Sequence, residues 1–134
     1  YDTCSITLKT KSGKQCIINN CREAVYGYDQ RLEVLGSKGM LKTQNHRPST
    51  LKKYNHDVTS SQQPLLNFFL ERYIGSYRKE FDVFVSCLVE KQAFPTNLFD
   101  GLQALYLAVC AMESVESNKA IMINPEGPSK YFSV

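Results

Sequence analysis

The chain has 134 residues, 16 Lys and Arg against 13 Asp and Glu, and 43% hydrophobic and 22% charged residues, giving a formal charge of +3. Such a composition describes one globular domain, able to bury roughly two-thirds of its unfolded surface and needing no staples to fold. No run approaches the ~20 apolar residues of a membrane span, and the opening YDTCSITLKTKSG has no apolar signal core, so neither a membrane partner nor secretion is expected. Tyr1 stands where an initiator Met would be, as in a processed product or a piece of something longer.

Residues 1–64 carry 10 basic and 5 acidic side chains, and residues 65–134 carry 6 and 8. The lysines of the first half are scattered between turn residues, without the clustering or aromatic motif of a nucleic-acid footprint. They read as solvated sheet edge, and no nucleic-acid partner is expected. Cys4, Cys16, Cys21, Cys87 and Cys110 show no C-x-x-C spacing, and His46 and His56 lie far from all of them. No metal site and no catalytic cysteine is expected; reduced thiols in a cytoplasmic protein are.

Taken in order, the elements are strands first and helices after. Cys4, Ile6 and Leu8 alternate with polar residues, Lys11-Ser12-Gly13-Lys14 turns, and residues 15–22 return as a hairpin partner. Residues 31–35 form a third strand with Leu32 and Val34 on one face, Gly36 to Gly39 a four-residue turn, and residues 40–44 the returning strand. Residues 50–54 are a further strand, and the polar stretch 55–63 is a loop ending at Pro64. A long helix follows, with Phe69, Tyr73, Tyr77, Phe81, Phe84 and Leu88 striping one face. Pro95 and Thr96-Asn97 open a second helix with Asp100 in its first turn and Leu98, Leu102, Leu105, Val109 and Met112 on one face; Ser117-Asn118 closes it. Ala120 to Ile123 reads as a last short strand, and residues 124–134 as a tail. The expected fold class is α+β: a mostly antiparallel open sheet with two long helices on one face, leaving the other face to invite a second subunit.

Motifs of chemistry are few. There is no G-x-G-x-x-G, no P-loop and no G-x-S-x-G, and Gly36-Ser37-Lys38-Gly39 joins two strands with no helix to follow. His56-Asp57 sits in a polar loop, where neighbours ordinarily just share solvent. The densest polar-aromatic segment is Arg22 to Arg31 (REAVYGYDQR). A phenol both donates and accepts, so tyrosines suit a polyhydroxylated ligand; a bulge or wide turn whose tyrosines pack on the helices is the other reading.

The run INNCREAVYGYDQRLEVLGSKGML resembles the second half of the inositol 2-dehydrogenases, in the family shared with glucose–fructose oxidoreductase. The likeness continues through Arg72-Tyr73, Tyr77, Glu80-Phe81 and Phe84, and resumes at Pro95-Thr96 and at Asp100-Gly101-Leu102-Gln103-Ala104-Leu105. Residues 44–64 match poorly. The resemblance implies that residues 1–123 are a C-terminal substrate-binding and oligomerisation domain. It also implies a dinucleotide-binding Rossmann domain, outside these residues, that binds NAD or NADP. In such enzymes hydride passes from an alcohol carbon to the nicotinamide while a histidine removes the hydroxyl proton. The glycine fingerprint, the lysine and that histidine have no counterpart here, so no catalytic or cofactor-binding residue and no activity of the piece alone is expected. The resemblance implies a polyol substrate held partly by Tyr28, with Tyr77 a weaker companion, and a homo-oligomer. A relative acting on another sugar and a non-enzymatic α+β oligomerisation module are the alternatives.

Overall fold

In a computed structural model of the protein, residues 1–124 are described. The fold is α+β, with antiparallel strands first and helices after. Strand β1 (Thr3–Lys9) pairs with β2 (Gln15–Cys21), β3 (Glu33–Gly36) with β4 (Gly39–Lys42), and β5 (Lys52–Lys53) with β6 (Ser61–Gln62). Helix α1 (Phe69–Arg72) is a single turn, followed by α2 (Ile74–Glu90) and α3 (Leu98–Ser117). Two compact units divide the chain, Tyr1–Val83 and one beginning at Phe84.

In the first unit the first hairpin follows the alternation. Ile6 pairs with Ile18 and Leu8 with Cys16 on the better-covered face. Gly13, at φ +85°, closes the turn as its hydrogen bond to the Thr10 carbonyl requires. The second hairpin is tighter than expected. Gly36 and Gly39 pair with each other, so only Ser37-Lys38 form the loop, and Gly39 takes φ +134°. Residues 52–53 confirm a short strand, but its partner, Ser61–Gln62, lies within the stretch expected to be loop. Strand pairing uses backbone groups, and this ladder of Lys, Ser and Gln buries no apolar face that would mark it in sequence. The strands form three separate ladders rather than one continuous sheet among the described residues. The segments between them are tied by side chains instead, as described below.

The expected single helix after Pro64 is interrupted. Tyr73, at φ −108° and ψ 7°, stands between α1 and α2, though Tyr73 N–H bonds Phe69 O and Tyr77 N–H bonds Tyr73 O across the break. Helix α2 ends with Lys91 in the left-handed region and Gln92 N–H returning to Cys87 O, 3.0 Å.

In the second unit Phe84 stacks on Phe94, centroids 5.3 Å apart. Helix α3 begins where the sequence places it. Asn97 Oδ1 accepts from the N–H groups of Phe99 and Asp100, and Asp100 Oδ2 accepts from Asn97 N–H, a reciprocal capping box. It ends at Asn118 in the left-handed conformation, with Lys119 N–H on Ser114 O. The face differs from expectation. Tyr106 and Cys110 are the buried residues, whereas Leu98, Leu105 and Met112 are exposed. The helix is apolar nearly all round, so spacing alone did not single out the covered side. By length and composition α3 is even long and apolar enough to cross a membrane, which corrects the reading that no segment comes near that length. It nonetheless carries Glu113 and Glu116 near its end and a polar cap at its start. The strand expected at 120–123 is absent: these residues pair with no strand among the described residues, and Asn124 N–H bonds the Tyr106 hydroxyl instead. The tail expected from 124 lies, beyond Asn124, outside the described residues.

The cap yields a direct expectation. Asn97→Ala, measured by urea unfolding of the protein that carries this chain, should lose about 0.5–2 kcal/mol, with Asn97→Gly losing only a few tenths.

Candidate functional site

The segment between β2 and β3 contains Tyr26, Gly27, Tyr28, Asp29, Gln30 and Arg31, and has no ladder of its own. Its backbone is held by other means. Tyr28 N–H bonds Leu66 O at 2.9 Å, Gln30 N–H bonds Asn45 Oδ1 at 2.8 Å, and Leu32 N–H bonds Thr43 Oγ1 at 2.9 Å. Gly27 is required on two counts. Its φ is +121°, and a Cβ there would stand 2.7 Å from Leu65 Cβ. The close passage beneath Leu65 and Leu66 presents Tyr26 and Tyr28 on either side of a sharp turn.

Asp29 is the hub on one side. Arg31 donates to both carboxylate oxygens, Nε to Oδ1 and Nη2 to Oδ2, each 2.7 Å. Asn45 Nδ2 donates to Oδ1 at 2.6 Å, and the Tyr26 hydroxyl to Oδ2 at 2.5 Å. Arg31 first, then Asn45 and Tyr26, hold the Asp29 carboxyl well below the usual carboxylate range. The same bond pushes the Tyr26 phenol up, since ionising it would set two anions together. The bonds also orient Asn45, whose other amide end fixes Gln30.

On the other side lie tyrosines. The rings of Tyr28 and Tyr73 meet edge to face, centroids 5.6 Å apart, and Tyr73 meets Tyr77 in the same manner at 6.3 Å. The Tyr73 hydroxyl donates to Gln30 Oε1 at 2.7 Å. The Tyr28 phenol is raised above its ordinary value, chiefly by the neighbouring Tyr73 hydroxyl. The Arg72 guanidinium lies over the Tyr73 ring, 5.7 Å from its centroid, and its Nε is buried with no partner among the described residues. A buried donor without an acceptor costs about 1–3 kcal/mol.

The two residues singled out from the sequence are thus joined through a third. Tyr28 is half-buried and Tyr77 half-exposed, and Tyr73 bridges them. The spacing had put Tyr73 in an apolar stripe; its four-residue step to Tyr77 was the available signal. Arg72 and Asn45 were missed as site residues, because only the chain's return through 43–46 and 65–73 brings them to the segment. His56 and Asp57 sit 3.2 Å apart, both exposed, and touch none of this. Turn glycines lead into strands here, and no strand passes through a glycine-rich turn into a helix among the described residues.

Hairpins come first in this chain and long helices after, and the tyrosine cluster lies within the first unit. Residues 1–123 match the family described as "Oxidoreductase family, C-terminal alpha/beta domain", and the chain belongs to it. It is 42% identical over 123 residues to the inositol 2-dehydrogenase of Rhizobium meliloti, covering 92% of this chain and 37% of that protein. It is 37% identical over 122 residues to the myo-inositol 2-dehydrogenase of Thermotoga maritima, covering 91% and 36%. A crystal structure of a myo-inositol dehydrogenase from Corynebacterium glutamicum superposes with a TM-score of 0.88 at 42% identity, over 93% of this chain and 38% of that one. The chain therefore spans little more than a third of the relatives' length.

Asp29 makes a pH test possible. Its folded pKa is depressed, so its contribution to stability is present above the unfolded value of about 3.9 and is lost as pH falls through the range below it. Asp29→Asn should lower stability at neutral pH and flatten the acid loss between about pH 4 and pH 2. Thermal unfolding followed across that range reads both effects; equal acid sensitivity in the two proteins would remove Asp29 from the role of hub.

Proposed function

We propose that this chain is the C-terminal part of an NAD(P)-dependent inositol dehydrogenase, an enzyme that oxidises one hydroxyl of a cyclic polyol to a ketone. The observation that carries the reading is the 42% identity, across 92% of the chain, to a protein named inositol 2-dehydrogenase. Within that enzyme the chain supplies a wall of the substrate pocket, and the dinucleotide is held by residues outside it. The chain alone is accordingly inactive.

Tyr28 is the residue we assign to the substrate, with Tyr77 secondary. A ring of hydroxyls needs groups that both donate and accept, and a phenol does both. Gly27 lets the backbone present Tyr28, and Tyr73 braces its ring. These groups bind and orient; none removes a proton from the substrate.

A homo-oligomer is the second part of the reading. The β3–β4 hairpin exposes Val34 with Leu41 on one face and Leu35 with Met40 on the other, and such an exposed apolar pair invites symmetric contact with a second copy. The exposed thiols of Cys4, Cys16 and Cys21 favour a reducing compartment, the cytoplasm.

The test uses the full-length enzyme. Losing one neutral hydrogen bond is worth about 0.5–1.5 kcal/mol, so Tyr28→Phe should lower kcat/KM for myo-inositol roughly threefold to tenfold, with cofactor affinity little changed. An unaltered kcat/KM would return Tyr28 to a packing role. Sedimentation of the same enzyme should show a species larger than one chain at micromolar concentration, and Leu35→Lys with Met40→Lys, which share a face, should weaken it. A strict monomer at all concentrations would dismiss the oligomer.

A further inference from the structure

We propose that the far side of the Tyr26–Arg31 segment is a binding site for a small phosphate-type dianion, distinct from the Tyr28 neighbourhood and independent of the polyol reading. An open cleft of about 460 Å³ lies there, lined among others by Tyr26, Asp29, Arg31, Lys42, Arg47 and Gln62. That volume falls within the span of small-molecule clefts, about 300–1,000 Å³.

The charge balance identifies the ligand. Three cations line the cleft against one carboxylate, Asp29. Both Asp29 oxygens are already engaged, by Arg31, Asn45 and Tyr26, so the charges of Asp29 and Arg31 offset each other, and the attraction for an anion comes from Arg47 and from Lys42. Arg31 spends Nε and Nη2 on that carboxylate and keeps Nη1. Arg47 donates through Nη1 to the Gln63 carbonyl, which anchors the guanidinium and leaves Nε and Nη2 without a partner among the described residues. Lys42 pairs with Glu33 at 3.1 Å, but both side chains are about half exposed, so an anion of higher charge competes for it readily. Two planar guanidiniums with unused donors and one mobile ammonium suit the several oxygens of a phosphate better than the two of a carboxylate.

The architecture holds Arg31, and the backbone that carries Lys42 and Gln62, in place before any ligand arrives. Arg31 is clamped by Asp29, Lys42 closes the β3–β4 ladder opposite Glu33, and Gln62 belongs to the short β5–β6 ladder. Each cation comes from a different stretch of chain, so the cleft is a product of tertiary structure.

The experiment is isothermal titration of the full-length protein with inorganic phosphate, ionic strength held constant by exchange with sodium chloride. Saturable binding with a dissociation constant on the order of millimolar is expected. Arg47→Gln and Lys42→Gln should each weaken it roughly twofold to fivefold, as for partly exposed charge pairs. Circular dichroism checks that each variant folds; because Lys42 is exposed, Lys42→Gln carries the test if loss of the Gln63 contact unfolds Arg47→Gln. A polyol phosphate monoester run in parallel separates the sources: tighter binding than inorganic phosphate assigns the remaining volume to an esterified ligand, equal binding to the free anion. Heat that never saturates, or binding unchanged in the Lys42→Gln, Arg47→Gln double variant, overturns the proposal. Neither result depends on inositol oxidation, so failure here leaves the polyol reading standing, and the converse holds too.

Discussion

The carboxylate of Asp29 is the constraint on which the rest of the first unit's loop structure rests. The stretch between β2 and β3 is too irregular to satisfy its own backbone groups by strand pairing, and unsatisfied backbone is costly. The solution is an alternation of side-chain and backbone bonds: Tyr28 to Leu66, Gln30 to Asn45, Leu32 to Thr43. Asn45 can serve only if its amide points the right way, and Asp29 sets that orientation by accepting from Nδ2 while Arg31 and Tyr26 complete the carboxylate's shell. Arg31 is largely exposed, so the ion pair itself contributes little energy; its value lies in geometry, because a bidentate fork allows one arrangement.

That frame separates two surfaces along one short segment. The turn at Gly27 breaks any strand alternation, and Tyr26 and Asp29 line the cleft while Tyr28 meets Tyr73. Gln30 crosses between them, with its backbone on Asn45 and its side chain on Tyr73. A ligand on either surface therefore acts on groups that share the same few hydrogen bonds. Such sharing is a route for coupling, since polar networks respond as units rather than pairwise.

Among the described residues few are deeply buried: Cys87, Tyr106 and Cys110 are the buried apolar ones, while large side chains on all three helices and on the β3–β4 hairpin stand exposed. Apolar area left in water forgoes about 25 cal/mol per Å². A domain spanning 37% of its relative's length has a ready explanation in the proposed enzyme, whose remaining residues and second copy would cover these faces.

The sequence by itself determined what depends on neighbours along the chain. The first hairpin was legible because Ile6 and Leu8 alternate and Gly13 turns; the limits of α3 were legible because Asn97 and Asp100 cap one end and Asn118 adopts the left-handed form at the other. The family was legible in YGYDQR and the residues around it, and the α+β class in the order of strands and helices. Only the tertiary structure decided what depends on segments far apart. It paired polar residues 52–53 and 61–62 that carry no apolar signal, turned Tyr106 and Cys110 inward on a helix apolar on every side, and left 120–123 without a strand to join. It also brought Asn45, Tyr73 and Arg72 to the Tyr26–Arg31 segment. Local spacing encodes periodicity and caps, whereas hydrogen bonds across 15 to 43 residues, such as Gln30 to Asn45 and Tyr73 to Gln30, exist only once the chain has returned on itself.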